Sequence, residues 1–304
     1  MAKLNSSESK ILDQIAKWKA DNPSFLNKST DFVSKPISWL TEKLTPEDVK
    51  ASVGGVVESI LDRLQDVSKW TVSNQDILTA TKEFEIEAKT IGDLKKASIH
   101  DLDHVAEGLI EGNTRMATAS GIGSGLASLA GPVAGWAALL ADLPTLFTFS
   151  LRTINQVALC YGFDPHDPSL DALEKAHEME YMMRVFKVAT SSDKVQKQKA
   201  LGELKDFEAG RHTDSYKDVA GDFTTKQLGK NATSFISRMI IKEIVERTIT
   251  RKAVGLVPGL GAVFSGGFNY VYIKDVGNAA YMLYRERFLL DKKGRKKTIK
   301  IEID

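Results

Sequence analysis

The spacing of hydrophobic residues indicates helices along most of this chain. Between residues 49 and 67 apolar side chains recur at intervals of three and four, the period of one face of a helix. They are Val49, Val53, Val56, Val57, Ile60, Leu61, Leu64 and Val67. Thr45 followed by Pro46 is typical of a helix start, and Asp167 followed by Pro168 repeats that signal. The pattern predicts an all-α helical bundle.

The two ends of the chain differ from its middle. We predict an amphipathic N-terminal arm over residues 1–45, a single all-α domain over 46–290 and a basic tail over 291–304. Within the domain, residues 191–230 are polar and predict a solvated helix pair or a mobile connection. The last eight residues, KTIKIEID, alternate apolar and charged, which fits either a lone edge strand or a frayed tail.

Two uncharged segments are rich in small residues. In residues 117–141, 16 of 25 positions are Gly, Ala or Ser, and residues 253–273 are also free of charge. Each segment has a proline followed three residues later by a glycine, and the two pairs are 126 residues apart, a weak sign of internal duplication. Because proline and glycine interrupt helices, each segment should fold into a helical hairpin. The predicted turn residues are Gly131, Pro132, Gly135, Pro258, Gly259 and Gly261.

Both uncharged segments are long enough to raise the question of a membrane span. In the first, the large apolar residues favour insertion by roughly 2 to 4 kcal/mol, and Asp142 at its end opposes it by up to about 3 kcal/mol. The sum is near zero, which disfavours a transmembrane helix. Two interpretations stay open: a tightly packed hairpin in a soluble core, or a hairpin that docks on or dips into a membrane surface.

A cluster of basic residues near the C-terminus bears on this choice. It consists of Lys292, Lys293, Arg295, Lys296 and Lys297. Each such residue near an anionic leaflet contributes about 1 kcal/mol to binding, although a solvated tail has the same composition. The whole chain has 41 basic and 40 acidic residues, which argues against a nucleic-acid-binding protein. The lone Cys160 and the lack of a secretory signal in the first thirty residues predict a cytoplasmic location.

Asp142 stands out because it ends a long apolar run and precedes Pro144. One interpretation is an N-cap, with the carboxylate accepting hydrogen bonds from a helix that restarts after it. The other is a buried acid in a polar pocket between the two hairpins. Asp275 supports the pocket because it lies on an apolar stripe, where an acid needs a base such as Arg152 or a wet boundary. The candidate pocket residues are Asp142, Arg152, Gln156, Asn269 and Asp275.

Other sequence motifs for chemistry are weak. His100 and His104 are four residues apart and could face one metal ion. However, Asp101 rather than Glu follows the first histidine and no third ligand is evident, so an exposed polar helix face is favoured. The glycines around Ser124 form neither a phosphate loop nor a dinucleotide fingerprint, and Ser265 lacks a nucleophile elbow. We therefore predict no catalytic residue, no metal and no cofactor.

Several motifs, taken in order, resemble the EcsC family. Residues 94–165 combine an acid-rich helix, a Gly/Ala-rich run, Asp142-Leu143-Pro144 and an apolar helix closing on Tyr161-Gly162-Phe163-Asp164. The C-terminal part carries Val257-Pro258-Gly259-Leu260-Gly261, Gly266-Gly267-Phe268-Asn269, Val276-Gly277 and Tyr284-Arg285-Glu286-Arg287-Phe288-Leu289. The resemblance covers about two-thirds of the chain and leaves out the first 90 residues and the polar stretch 191–230.

The resemblance implies a fold and a membrane context rather than a reaction. The family takes its name from a protein encoded beside an ABC transporter implicated in protein secretion, and no catalytic residues are established for it. We expect a non-catalytic, membrane-peripheral interaction protein on the cytoplasmic face, linked to transport or secretion. Its partner would be a membrane surface or a membrane protein. The alternative is a hydrolase or small-ligand-binding protein that uses the polar pocket.

Overall fold

A computed structural model of the chain describes residues 4–21, 46–65, 70, 72–127, 132–210, 238–249 and 261–294. Every regular element within these ranges is helical, which confirms the all-α prediction. Three of the predicted turn residues, Gly131, Pro258 and Gly259, lie outside the described residues. The last ten residues, with the proposed edge strand, lie outside them as well.

The helices follow one another along the chain with short connections in the central part. They are α1 (Ser6–Ala20), α2 (Pro46–Gln65), α3 (Asn74–Lys82), α4 (Ile99–Ala127), α5 (Pro132–Cys160), α6 (Ala172–Ala189), α7 (Lys194–Glu208), α8 (residues 238–249) and α9 (Gly261–Lys292), with a 3₁₀ helix at Ile91–Lys96.

The two predicted helix starts have different outcomes. α2 begins at Pro46 as predicted. The start at Asp167 is wrong, because Asp167 Oδ1 instead accepts hydrogen bonds from the backbone N–H (2.8 Å) and hydroxyl (2.7 Å) of Ser169 in a local turn. The next helix, α6, has Asp171 as its N-cap, with Glu174 completing a capping box.

The centre of the bundle is the pair α4 and α9, which pack on each other more extensively than any other two described helices. Their contacts show that they run antiparallel: Asp103 meets Arg285 near one end, and Ala117 meets Asn269 near the other. Between these, a Cβ atom on Gly277 would lie only 2.5 Å from Ile110 Cγ2. A side chain at position 277 would therefore push against Ile110, and the glycine lets the two helices approach closely here.

α5 follows α4 through a short connection and crosses it obliquely. Asp142 of α5 contacts Asn269, which also bonds Ala117, whereas Gln156 of α5 contacts Asn113. Asp142 and Gln156 are about 21 Å apart along α5, but Ala117 and Asn113 are only about 6 Å apart along α4. The two axes therefore cross at an angle, and α5 also packs against α2, α3, α6 and α9.

The end of α5 explains the Tyr161-Gly162 motif. Gly162 has φ = +82°, the left-handed conformation typical of the residue after a helix. Its N–H bonds the carbonyl of Leu159 at 2.9 Å, and the N–H of Phe163 bonds that of Ala158 at 2.9 Å. A Cβ atom here would also lie 2.5 Å from Lys95 Cγ, so the chain folds back tightly over the 3₁₀ helix.

The N-terminal arm and the polar stretch meet in the structure. α1 packs against both α7 and α9. The buried Lys197 of α7 donates to the carbonyl oxygens of Trp18 and, at 3.3 Å, of Asp21 at the end of α1. α7 is thus a packed helix with an apolar buried face, although it falls in the stretch predicted to be solvated or mobile. Residues 211–230 of that stretch lie outside the described ranges.

Candidate functional site

The topology gathers the uncharged segments at one end of the bundle. Because α4 and α9 are antiparallel, the C-terminus of α4 and the N-terminus of α9 lie at the same end. α5 begins there too, since four residues connect it to α4 and its Asp142 contacts Asn269. Residues 116–127, 132–141 and 261–273 carry no charge, and we call these three helix ends the uncharged pole.

Part of the uncharged pole faces outward. Met116 is 47% exposed, and Ala119 on the same helix is exposed as well. On α5 Ala137 and Ala141 are exposed, and on α9 so is Gly267. Within the described ranges one helical stretch, Trp136–Cys160, is long and apolar enough to cross a membrane, but 56% of an 18-residue apolar window in it is buried inside the protein. Its composition is therefore also that of a soluble core helix.

Asp142 and Asn269 form a buried polar pair at the base of the pole. Asn269 is fully buried, and its Nδ2 donates to Asp142 Oδ2 at 3.3 Å and to the carbonyl of Ala117 at 3.4 Å. The N-cap interpretation of Asp142 is wrong, because α5 runs unbroken through Asp142 and Pro144. The carboxylate instead accepts a hydrogen bond from the buried amide of Asn269, which needs polar partners. Through Asn269, Asp142 links α5 to α9 and to α4.

The other predicted pocket residues lie farther along α5 and α9. Gln156 accepts a hydrogen bond from Asn113 on α4, about 21 Å along α5 from Asp142. Arg152 is half-buried, with a buried Nε that has no hydrogen-bond partner, and Asp275 is half-buried on α9. The structure thus brings together Asp142 and Asn269 out of the five, and a functional pocket formed by all of them stays a prediction.

The predicted turn residues are partly displaced. Pro132 and Gly261 are the first residues of α5 and α9, in agreement with a helix break just before each. Gly135 lies inside α5, so its assignment to a turn is wrong. A single glycine one turn after a helix start is tolerated, because the first residues of a helix lack complete backbone hydrogen bonding in any case.

The basic C-terminal cluster begins at the opposite end of the bundle. α9 has 32 residues and is about 48 Å long, so Lys292 is separated from the uncharged pole by the length of that helix. Lys292 also pairs with the buried Glu8 of α1 at 2.6 Å. A membrane surface in contact with the pole would therefore lie far from Lys292 and Lys293.

The two histidines of the HDLDH sequence have separate contacts. His100 hydrogen-bonds Ser7 at 2.7 Å, and the ring of His104 stacks on that of Phe84. Among the described residues no group of three or more His, Cys, Asp or Glu side chains is placed to hold a metal ion. Both histidines are exposed, so the preferred interpretation of a polar helix face agrees with the structure.

Asp103, in the same sequence, belongs to a buried network that the sequence did not reveal. Its carboxylate accepts hydrogen bonds from the hydroxyl of Tyr161 at 2.6 Å and from Arg285 at 2.7 Å. Burial raises the pKa of Asp103, against the hydrogen bond from Tyr161 and the charge of Arg285. Arg285 also lies over the ring of Tyr281, whose hydroxyl bonds Glu107. The network ties α4 and α9 to the end of α5.

A second buried network explains the rest of the Tyr284–Leu289 motif. Arg287 forms two hydrogen bonds with Glu178 of α6, at 2.5 and 2.6 Å, and lies between the rings of Phe163 and Tyr181. Burial acts to raise the pKa of Glu178, but the charge and hydrogen bonds of Arg287 outweigh it, so the pKa lies below its ordinary value. These contacts hold α6 against α9. The alternating charged residues of the motif are the signal that could have indicated such pairs.

A shallow surface cleft of about 440 Å³ lies away from the uncharged pole. Its lining is polar and comes from the 3₁₀ helix, the loop before it and the start of α4: Glu85, Ile86, Glu87, Lys89, Asp93, Lys96, Ala97, Ser98 and Asp101. None of the predicted pocket residues lines it.

Comparison with known proteins gives one family and two relatives with similar lengths. The model of the EcsC protein family matches residues 9–289, which extends the similarity to α1 and to the polar stretch. An uncharacterized protein of Bacillus subtilis strain 168, YdbA, is 26% identical over 285 residues, covering 92% of each chain. Protein EcsC of the same strain is 22% identical over 286 residues, covering 93% of this chain and 97% of its own. No solved structure matches.

Proposed function

This chain belongs to the EcsC family, and on that premise we propose that it is a non-catalytic, membrane-peripheral interaction protein on the cytoplasmic face, linked to transport or secretion. We further propose that it contacts the membrane through its uncharged pole. The observation that carries the proposal is the convergence of three uncharged helix ends at one end of the bundle.

The dimensions of the uncharged pole support insertion into one leaflet. Its helix ends extend over 12 residues of α4, 10 of α5 and 13 of α9, or about 15 to 20 Å at the rise of a helix. One leaflet contributes about half of the 30 Å hydrocarbon thickness of a bilayer. Beyond the last turn of α4 and the first turns of α5 and α9, its backbone polar groups are bonded within helices, as a hydrocarbon environment requires.

The distribution of charge supports insertion rather than electrostatic adsorption. The first charged residues below the uncharged pole are Arg115 on α4, Asp142 on α5 and Lys274 on α9, a mixture of both signs. The basic residues Lys292 and Lys293 lie at the other end of α9. Binding through the pole should therefore depend little on ionic strength, whereas binding through a basic tail should weaken as salt screens it.

A vesicle flotation experiment tests the proposal. Purified protein is mixed with vesicles of phosphatidylcholine and phosphatidylglycerol at low and at high salt, and the floated fraction is measured. We expect the wild type to float in both conditions. The double variant Met116→Lys/Ala119→Lys should bind at least about tenfold more weakly, because a lysine in the hydrocarbon region costs up to about 3 kcal/mol.

Val195→Lys is the matched control. Val195 is 78% exposed on α7, which is not one of the three helices of the uncharged pole, so the same kind of change there should leave flotation as in the wild type. Flotation that disappears at high salt in the wild type, or equal loss in the two variants, would show that the pole does not enter lipid. Failure of the wild type to float in either condition would contradict the proposal as a whole.

The alternative function, a hydrolase or small-ligand-binding protein, stays a prediction. If this alternative holds, Asp142→Ala should abolish an activity, or the rise in melting temperature that a ligand causes, without lowering the melting temperature of the protein alone. Because Asp142 is buried and bonded to Asn269, we expect that substitution to lower the melting temperature instead.

A further inference from the structure

Two arginines near the contact of α2 with α5 have no counter-ion among the described residues. Arg63 of α2 donates to the hydroxyl of Thr148 on α5, with Nη1 and Oγ1 3.5 Å apart. Arg152 lies one helical turn beyond Thr148. Across the described residues Arg152 makes no hydrogen bond and no ion pair, and the contact with Thr148 is the one polar contact of Arg63.

Asn155 adds an unsatisfied amide to the same face of α5. Thr148, Arg152 and Asn155 fall at positions i, i+4 and i+7, within about 60° of one another around the helix. Asn155 is 1% exposed, and neither its Nδ2 nor its Oδ1 has a hydrogen-bond partner. Buried polar groups are almost always satisfied by protein, water or a ligand, so this face is incomplete as it stands.

The two described acidic residues of α2 closest to Arg63 in sequence do not neutralise the arginines. On α2, Glu58 is paired with Arg238 of α8, and Asp62 is exposed and forms no ion pair with either arginine within the described residues. The hydroxyl of Thr148 already donates to the carbonyl of Pro144 at 2.8 Å. Within the described residues, the guanidinium group of Arg152 and the amide of Asn155 thus have donors that no protein group accepts, on the face of α5 where Thr148 meets Arg63.

We propose that this surface, formed by Arg63, Arg152 and Asn155, binds an oxyanion of the phosphate class. A guanidinium group presents paired N–H donors that match phosphate oxygens, and two of them supply the charge that a phosphate requires. Asn155 can donate through Nδ2 and accept through Oδ1. A phosphate that carries a proton satisfies both atoms, whereas sulfate has no proton to donate. The site is separate from the uncharged pole and does not depend on membrane contact.

Thermal unfolding in the presence of inorganic phosphate tests the site. We expect phosphate to raise the melting temperature of the wild type saturably, and to do so more than sulfate at the same ionic strength. Arg152→Met and Arg63→Met should each weaken the apparent affinity at least about tenfold, because each removes charge-assisted hydrogen bonds. The control is Arg115→Met, which removes an exposed arginine from α4 and should keep the wild-type response.

Asn155→Leu separates ligand binding from a structural role. The leucine has the same branched shape and replaces two unsatisfied polar atoms with methyl groups. The gain from removing those atoms offsets the cost of its larger volume, so the variant without phosphate should melt close to the wild type, while its phosphate response falls. A variant that only destabilised the fold would melt lower without phosphate and would keep the phosphate response of the wild type. A second experiment uses vesicles that contain phosphatidic acid. If these vesicles recruit the wild type but not Arg152→Met, and free phosphate has no effect, the phosphate group that binds is that of a lipid headgroup.

The proposal is overturned if phosphate and sulfate give the same small shift in the wild type and in Arg152→Met. It is also overturned if neither inorganic phosphate nor phosphatidic acid produces a response that depends on Arg152. These results are independent of the flotation experiment, because that experiment uses vesicles without phosphatidic acid and variants at Met116 and Ala119. Failure of one proposal can therefore be told apart from failure of the other.

Discussion

Gly277 lies where α9 approaches α4, and replacing it with alanine tests how strongly this contact determines the stability of the bundle. A Cβ atom at position 277 would lie 2.5 Å from Cγ2 and 2.9 Å from Cγ1 of Ile110. Forcing an extra methyl group into a packed interface costs about 1 to 3 kcal/mol. Alanine also favours the helix over glycine by about 1 kcal/mol, so the net loss is about 0 to 2 kcal/mol.

Gly267 on the same helix provides the matched control. A Cβ atom there meets nothing within 4 Å, so Gly267→Ala should stabilise the protein by up to about 1 kcal/mol. The difference between the two variants isolates the steric cost, which we expect to be about 1 to 3 kcal/mol by urea denaturation. Ile110→Ala removes both close atoms, so in that background Gly277→Ala should become favourable, with a coupling of at least about 1 kcal/mol. If Gly277→Ala stabilised the wild type as much as Gly267→Ala does, the close approach of α4 and α9 would be refuted.

Two further predictions concern buried charges. Glu178→Gln should lower the free energy of unfolding at pH 7 by about 3 to 5 kcal/mol, because it leaves Arg287 buried without its partner. The pKa of Glu178 in the folded protein lies below the ordinary 4.5, so its contribution to stability is present above pH 4.5 and is lost as the pH falls through the folded pKa. Denaturation experiments from pH 7 to 3 should therefore show the free energies of unfolding of the wild type and Glu178→Gln converging. A constant difference between them would contradict this. Burial lowers the pKa of Lys197 to about 8 from 10.5. Between pH 8 and 10.5 the unfolded chain therefore binds more protons at this residue than the folded protein does, so the contribution of Lys197 to stability rises with pH in that range. Subtracting the curve of Lys197→Met from that of the wild type should show this rise, and a flat difference would mean that the Lys197 ammonium group is not desolvated.

The fold class and the ends of the central helices follow from local signals. Proline at the first position of a helix marks the starts of α2 and α5, because its fixed φ suits that position and it needs no N–H donor there. The pair Asp167-Pro168 does not begin a helix, because the carboxylate of Asp167 accepts hydrogen bonds from Ser169 in a turn. Local sequence thus predicts where a helix begins only when no neighbouring side chain competes for the capping group.

The contacts of the candidate site depend on helix crossing, which local sequence does not contain. Asp142 and Asn269 were both predicted for one pocket, and they do meet. Gln156 was predicted for the same pocket but contacts Asn113, because α5 crosses α4 obliquely and carries Gln156 away from Asp142. Arg152 lies one helical turn from Thr148, the residue of α5 that contacts Arg63 of α2. A periodic pattern fixes which residues share a face of one helix, but not which helix covers that face.

The central position of α9 has a consequence for synthesis of the chain. α9 is made after the other described helices, yet α1, α4, α5 and α6 all pack against it. At 5 to 20 residues per second, roughly 8 to 33 s separate translation of the end of α4 from that of the end of α9. Throughout that interval the groove that α9 will fill is open on the nascent polypeptide. Chaperones that shield apolar surface should therefore be most needed before α9 has left the ribosome.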